Sequence, residues 1–239
     1  MRLAVNIDHF ATLREARKSK VPEPVLAALL AEQAGASGIV CHIRSDRRHI
    51  KERDLHLLRE TIKTKLNIEM AATEEMKNIA LEVKPDIVSL VPEEEHELTT
   101  QGGLDVIKNK DKLAAHIQSL LQGKIRVSIF VDPSEEQIKT CHQLKVDLIE
   151  INTGKYAELE SGPERDKAEQ EIIKVAQTAH KLGLEVHAGH GLDYWNIHPL
   201  ASIQEIKEFS IGFAIIARSS IVGIEKAVKD MLKLVVSKT

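Results

Sequence analysis

Residues 125–131 read Ile-Arg-Val-Ser-Ile-Phe-Val, and Asp-Pro-Ser-Glu-Glu follows directly. Apolar side chains fall at nearly every position, which predicts a strand that is covered on both faces in a parallel sheet. The Pro-Ser-Glu-Glu sequence is typical of the start of a helix. This stretch therefore predicts a strand that leads into a crossover helix.

Similar apolar runs recur along the chain and are separated by longer helical patterns. Together they predict eight strands, over residues 3–7, 38–42, 66–70, 86–91, 125–131, 146–151, 184–188 and 211–217. One intervening segment places Leu55, Leu58 and Ile62 on a single helical face, which is expected to pack against the sheet. Another begins with Thr73 before Glu-Glu-Met, an N-cap pattern.

The alternation of strands and helices over 239 residues predicts an α/β fold, a single (β/α)8 TIM-barrel domain over residues 1–239 with extra helical or loop elements. A doubly wound sheet is the alternative, but no glycine-rich dinucleotide fingerprint follows the first strand. One connection, over residues 92–111, is unusually long and is a candidate lid over the barrel mouth.

Composition excludes several classes of function. The 33 basic and 36 acidic residues are spread along the chain and aromatic content is 3%, which argues against a nucleic-acid partner. Neither a signal peptide nor an apolar run of membrane-spanning length is present, so a cytoplasmic location without membrane association is expected. Cys41 and Cys141 lie in strand-like and helix-like segments and are expected to be reduced core residues.

Ionisable residues occur at the carboxyl ends of several predicted strands. In a (β/α)8 barrel these ends meet at one rim, where catalytic groups lie. His42, Glu69, Glu150 and His190 are therefore candidates for proton transfer at a common mouth. The alternatives are a hydrogen-bonded histidine for His42 and structural ion pairs for the two glutamates.

Two groups of residues indicate anion binding. Arg44 belongs to a basic cluster after the first two strands and could bind phosphate, although a solvated charged surface explains such a cluster equally well. Gly191 and Gly212 follow or lie in the last two strands, where barrels often bind phosphate through backbone amides. Two sites imply two phosphorylated ligands or one bisphosphate. A metal site at His187-x-x-His190 is a weaker alternative, since residues three apart on a strand face opposite sides.

Several segments together resemble a known family. They are Asn-Ile-Asp-His at 6–9, Ala-Thr-Leu-Arg at 11–14, His-Ile-Arg at 42–44, Asn-Ile-Glu-Met-Ala at 67–71, Leu-Val-Pro-Glu at 90–93, Thr-Thr-Gln-Gly-Gly at 99–103 and Ala-Gly-His-Gly-Leu at 188–192. The chain is similar along nearly its whole length to the pyridoxine 5'-phosphate synthase (PdxJ) family.

The resemblance implies a transferase of vitamin B6 biosynthesis that condenses 3-amino-2-oxopropyl phosphate with 1-deoxy-D-xylulose 5-phosphate, giving pyridoxine 5'-phosphate, phosphate and water. It implies no cofactor, no metal and a homo-octamer. By position, His42 and Glu69 would accept protons, His190 would donate one, and Glu150 would stabilise the transition state. The aminoketone phosphate would bind to Asn6, Arg17, Thr99, Gly191, Gly212 and Phe213, and the deoxyxylulose phosphate to Asp8, His9, Arg44 and His49.

Two positions depart from the family pattern: Phe213 and Asn152 stand where histidine is common. Phe213 should be tolerated if it contributes only its backbone amide to a phosphate site. Two other functions compete with the condensation. A phosphosugar isomerase or epimerase would turn over one substrate, and a non-catalytic sensor of phosphorylated ligands would bind them without releasing phosphate.

Overall fold

The computed structural model describes residues 1–93 and 102–236. Its strands form a closed barrel in which each strand pairs in parallel with the next and the last pairs with the first. The predicted (β/α)8 TIM barrel is therefore confirmed. The strands are β1 (Arg2–Asn6), β2 (Gly38–His42), β3 (Lys65–Met70), β4 (Ile87–Leu90), β5 (Arg126–Val131), β6 (Leu148–Asn152), β7 (Glu185–Gly189) and β8 (Ile206–Ile211).

Helices surround the barrel and include extra elements beyond one per strand. Among the described residues they are α1 (Asp8–Ala16), α2 (Pro24–Gln33), α3 (Glu52–Thr61), α4 (Glu74–Val83), α5 (Lys110–Gln122), α6 (Glu135–Gln143), α7 (Gly154–Glu158), α8 (Pro163–Lys181), α9 (Ile197–Leu200), α10 (Phe213–Val222) and α11 (Ile224–Val236). None of them combines the length and apolar character needed to cross a membrane.

Local sequence signals explain several of these elements. The Thr73 hydroxyl accepts a hydrogen bond from the Met76 backbone N–H at 3.3 Å and caps α4, as predicted. Leu55 and Leu58 on α3 are fully buried in the core, which confirms the predicted apolar face. Cys141, on α6, is buried and unpaired, as is Cys41 on β2.

The two sides of each strand have different surroundings. Val5, Cys41, Ile68 and Ile149 are fully buried and belong to the hydrophobic core. The next residue along each of these strands lies on the opposite side, because side chains alternate across a strand. Those residues line the cavity described below: Asn6, His42, Glu69 and Glu150.

The predicted eighth strand, over residues 211–217, is wrong, while the other seven predictions overlap the observed strands. β8 covers residues 206–211, and residues 213–222 form α10. β8 reads Ile-Lys-Glu-Phe-Ser-Ile, so its charged residues conceal it from a search for apolar runs. Glu208 is nevertheless buried, because Arg2 on β1 pairs with it at 2.8 Å. The apolar run after Gly212 is instead the start of a helix.

Charged side chains close the end of the barrel opposite the strand carboxyl termini. Arg2 pairs with Glu185 as well as Glu208, and Arg126 lies 2.8 Å from Glu185. His187 lies between the two glutamates, 3.0 Å from Glu185 and 3.6 Å from Glu208. Its ring thus pairs with glutamates inside the barrel, whereas His190 lines the cavity at the opposite end. This arrangement gives no support to a metal site at His187-x-x-His190.

Candidate active site

The carboxyl ends of the strands and their following loops enclose a cavity of about 750 Å³. Most of the site residues predicted from the sequence line it. They are Asn6, Asp8, His9, His42, Arg44, His49, Glu69, Glu150, His190, Gly191, Gly212 and Phe213. The cavity therefore combines acid–base groups with residues suited to anions.

Glu69 is the penultimate residue of β3 and is partly buried against the cavity wall. Burial, followed by repulsion from Glu150 and Asp8, raises its pKa well above that of an ordinary glutamate. Asn6 donates a hydrogen bond to its Oε2 at 3.4 Å. A carboxyl whose pKa is raised in this way keeps its proton to a higher pH than a solvent-exposed glutamate, which suits it to proton transfer.

Glu150 on β6 is more deeply buried. Burial, with an added contribution from the Glu208 carboxylate, raises its pKa to about 8. Space for its side chain depends on Gly189, since a Cβ there would lie 2.3 Å from Glu150 Oε1. The glycine on β7 therefore allows a buried carboxyl to stand at the cavity floor.

His42, at the end of β2, is fixed at its backbone and at its ring. Its N–H donates to Asp8 Oδ1 at 2.8 Å, and its Nε2 lies 3.0 Å from Glu93 Oε1. The rings of His42 and His49 meet edge to face with centroids 6.1 Å apart. One side-chain nitrogen or oxygen atom from each of Asp8, His42 and Glu69 lies within 4.8 Å of the others. These are the residues to which the sequence assigns substrate binding and proton transfer.

The loop after β7 has a constrained backbone. His190 and Gly191 both adopt positive φ, 81° and 74°, a conformation that residues with side chains rarely adopt. The hydroxyl of the buried Thr153 lies 2.8 Å from the Gly189 carbonyl and 2.6 Å from that of His190. Asn196 donates to the Gly191 carbonyl at 3.0 Å. These bonds hold His190 at the mouth, where burial lowers its pKa.

The other end of the cavity is formed by the start of α10. Gly212 lies so close to β1 that a Cβ would be 3.1 Å from Asn6 Cβ. Phe213 is the first residue of the helix, where backbone N–H groups have no partner within the helix and favour anions. Its side chain is 70% exposed and its ring centroid lies 5.4 Å from that of His9. An amide at position 213 can thus serve a phosphate without a histidine side chain.

Over residues 3–237 the chain matches the family model described as "Pyridoxal phosphate biosynthesis protein PdxJ". The chain belongs to the PdxJ family. It is 53% identical over 234 residues to a pyridoxine 5'-phosphate synthase of Syntrophobacter fumaroxidans, with 98% of each chain covered. The enzyme of that name from Prochlorococcus marinus is 52% identical, over 98% of this chain and 96% of its own.

Solved structures extend the likeness to distant barrels. The KGPDC structure from Streptococcus mutans aligns with a TM-score of 0.66 at 11% identity, covering 98% of both chains. A phosphoribosyl anthranilate isomerase from Thermus thermophilus aligns with a TM-score of 0.61 at 12% identity, covering 97% of this chain and 96% of its own. At these identities the likeness concerns the fold alone.

Two predicted site residues of this PdxJ-family chain, Arg17 and Thr99, are not among the residues that line the described cavity. Arg17 is exposed just beyond α1, away from the cavity wall. Thr99 lies outside the described residues, as do residues 94–101 of the candidate lid. Residues 102–103 are described, and the Gly103 N–H donates to Asp132 Oδ1 at 2.8 Å beside the end of β5.

The basic cluster after the first two strands divides into two groups. Arg44 is buried and lines the cavity, as predicted for a phosphate ligand. Arg14 instead binds the fully buried Asp54 through two hydrogen bonds, 2.8 and 2.7 Å long, and donates to the His49 carbonyl at 3.0 Å. It thus ties α1 to the loop that carries His49. Arg47 pairs with carboxylates on α3 and α4.

The sequence reading missed Glu93 and Thr153 as residues that hold the site. Glu93 follows β4 by three residues, so the strand-end rule that found His42 also applied to it. Thr153 carries no comparable signal, because a threonine after a strand is common in loops. Its contacts with the β7 loop appear only when β6 and β7 are paired.

Proposed function

We propose that this PdxJ-family protein is a pyridoxine 5'-phosphate synthase. It condenses 3-amino-2-oxopropyl phosphate with 1-deoxy-D-xylulose 5-phosphate and releases pyridoxine 5'-phosphate, phosphate and water. The observation that supports this most is that His42, Glu69, Glu150 and His190 share one cavity. Forming an imine, losing water and phosphate, and closing a ring require several proton transfers, which one acid–base residue could not supply.

The two ends of the cavity favour two phosphorylated substrates. The start of α10 and the Gly191 loop offer backbone amides to the aminoketone phosphate. On the other side, Arg44 and His49 offer a guanidinium and an imidazole to the deoxyxylulose phosphate. Arg17 and Thr99 stay in the proposal as family positions, although neither is part of the described cavity wall.

Within this scheme the titrating groups divide the work. His42 and Glu69 accept protons, and His190 donates one. Glu150, whose pKa is raised to about 8, would ionise more readily beside a cationic iminium, because an opposite charge nearby favours the carboxylate. It would then stabilise the transition state that leads to this cation. No cofactor or metal takes part in the proposed reaction.

The proposal also covers the assembly and location of the protein. We propose a cytoplasmic homo-oligomer, an octamer by family resemblance, with the whole chain forming one domain. An exposed apolar side chain outside the cavity supports association between copies, since Ile221 is 85% exposed.

Phosphate release measured with both substrates and with each alone tests the reaction. Release should require both substrates, and pyridoxine 5'-phosphate should form in equal amount. Glu69→Gln should lose most of the activity, whereas Glu60→Gln on the exposed face of α3 should retain it. Full-rate release from a single substrate would favour a phosphosugar enzyme, and binding without release would favour a sensor.

A further inference from the structure

Glu93 lies just beyond β4 and reaches the end of β2. Its Oε1 is 3.0 Å from His42 Nε2, and its Oε2 accepts a hydrogen bond from the Ser45 backbone N–H at 3.0 Å. The side chains of His42 and Glu93 are only 8% and 10% exposed. The carboxylate is thus fixed through both oxygens, between the imidazole and the chain that follows it.

The protonation state of Glu93 determines where His42 carries its hydrogen. Although burial opposes it, the hydrogen bonds from His42 and Ser45 lower the pKa of Glu93 to about 2. An ionised carboxylate can only accept a hydrogen bond, so Nε2 must be the donor. A neutral imidazole with its hydrogen on Nε2 has an unprotonated Nδ1, which is the atom able to accept a proton.

We infer that Glu93 is a positioning residue for catalysis: it sets the tautomer of His42 and stabilises the imidazolium that forms when Nδ1 takes a proton. This role depends on the proposed function, in which His42 accepts a proton from substrate. In the step, a substrate C–H or N–H bond breaks, its electron pair stays on the substrate, and the proton forms a bond to Nδ1. The Nε2–H bond remains intact, and Glu93 stays ionised throughout.

Several charged groups surround the His42 ring, so the effect of Glu93 has to be measured by its removal. A carboxylate within hydrogen-bonding distance favours the charged imidazole, and nearby cationic groups oppose it. Within residues 1–93 and 102–236, the groups that face the ring are Asp8 at the start of α1, Glu69 on β3, Arg44 and His49 after β2, and Glu93 after β4.

Glu93→Gln is the direct test, because it keeps the size of the side chain and removes the charge. Its amide can donate as well as accept, so Nε2 no longer has to carry the hydrogen. We expect kcat to fall about tenfold or more, with little change in KM for either substrate. The acidic limb of the kcat–pH profile should move down by about one pH unit, because the imidazolium has lost its anionic partner. A role limited to holding the loop would leave that limb in place.

Glu82→Gln is the matched control. Glu82 also faces a histidine, His56, at 3.6 Å, but both side chains are exposed on the outer surface. This variant should keep the wild-type kcat and pH profile. Glu93→Asp keeps the charge and shortens the reach, so it should lower kcat and leave the acidic limb nearer to its wild-type position. A wild-type kcat and pH profile in Glu93→Gln would overturn the inference.

The tautomer can be tested without turnover. In ¹⁵N spectra of histidine-labelled protein, the His42 signals are those that disappear in His42→Gln. Wild type should show one hydrogen on Nε2, and Glu93→Gln should show a mixture of tautomers and a lower titration midpoint. An Nδ1–H tautomer in wild type would exclude the role of Glu93 even if both substrates are turned over. A wild-type protein that releases no phosphate would instead reject the proposed function.

Discussion

Burial of the Glu150 carboxyl couples its protonation to folding. In the unfolded chain a glutamate has a pKa of about 4.3, whereas burial and Glu208 raise the pKa of Glu150 to about 8 in the barrel. Between these values the folded state keeps a proton that the unfolded state has released. The contribution of this proton to stability is fully present below about pH 4.3 and is lost as pH rises through about 8.

Glu150→Gln should therefore make folding less sensitive to pH. The amide keeps the shape of the side chain and does not titrate, so its melting temperature should fall less than that of wild type between pH 5 and 8. At pH 8 the variant should melt a few degrees higher than wild type, at about 2–4 °C per kcal/mol for a chain of this size. Thermal unfolding followed by circular dichroism measures both effects.

Glu160→Gln provides the control for this experiment, because Glu160 is exposed on the outside of the barrel. Its melting temperatures should follow those of wild type at every pH. Parallel pH dependences for Glu150→Gln and wild type would show that the Glu150 carboxyl is ionised in the folded protein.

The position of Glu150 at the barrel rim could be predicted from the sequence, but the surroundings that raise its pKa could not. Its place near a strand end was enough to assign it to the rim. Its raised pKa also depends on Glu208, which the sequence reading left outside any strand because it expected the last strand at residues 211–217. The local pattern of β8, with its lysine and two polar residues, resembles a surface segment. In the barrel it pairs with β1 and β7, and Arg2 forms an ion pair with the buried Glu208.

At the scale of elements, hydrogen bonds join the β6–α7 connection to the β7–α9 connection. Thr153 ends the first connection and holds the carbonyls of Gly189 and His190 in the second. Asn152 next to it donates to Asp132 Oδ1 at 2.8 Å and accepts from the Gly154 N–H at 2.9 Å. Asn152 therefore has its own partners in this loop. Side-chain hydrogen bonds between neighbouring loops leave no periodic pattern of apolar residues, so they are not predictable from the sequence.

Thr153→Val should loosen the β7 loop. Valine fills the same volume but has no hydroxyl to donate. The Gly189 carbonyl keeps its bond from the backbone N–H of residue 153 at 2.9 Å, whereas the His190 carbonyl loses its partner, and an unsatisfied buried carbonyl costs roughly 1–3 kcal/mol. The urea midpoint should fall accordingly. Under the proposed function, KM for the aminoketone phosphate should rise more than KM for the other substrate, because Gly191 follows the affected residues.

The matched control is Thr178→Val on α8. Its hydroxyl is exposed and donates to the Lys174 carbonyl one turn earlier, so the urea midpoint and both KM values should change little. Equal behaviour of the two threonine variants would mean that the Thr153 hydrogen bonds do not hold the loop.

At the scale of the whole molecule, α10 has more apolar surface than the barrel covers. Its sequence is Phe-Ala-Ile-Ile-Ala-Arg-Ser-Ser-Ile-Val, and Ile215 is its fully buried residue. Ile221 near its end is 85% exposed. Apolar side chains exposed on a helix that packs well elsewhere are typical of contacts between subunits.

Ile221→Glu should reduce the assembly mass of the proposed homo-oligomer. A carboxylate that is desolvated at a subunit contact is strongly unfavourable, whereas the barrel itself does not cover this side chain. Light scattering should give a smaller mass than wild type, with an unchanged far-ultraviolet spectrum. Gln118→Glu, at an exposed polar position on α5, should keep the wild-type mass. Equal masses for all three proteins would exclude this surface of α10 from the interface.

Closure of the ring has a consequence for how the protein is made. β1 pairs on one side with β8, where Arg2 aligns with Glu208, and Gly212 then packs against Asn6. During translation the first strand must therefore wait until residues 206–211 have been made before its second neighbour exists. Until that moment a nascent chain carries open strand edges, which can pair with other chains. The barrel and its cavity can thus form only after β8 has been made. Products of translation that stop before β8 would be prone to aggregate.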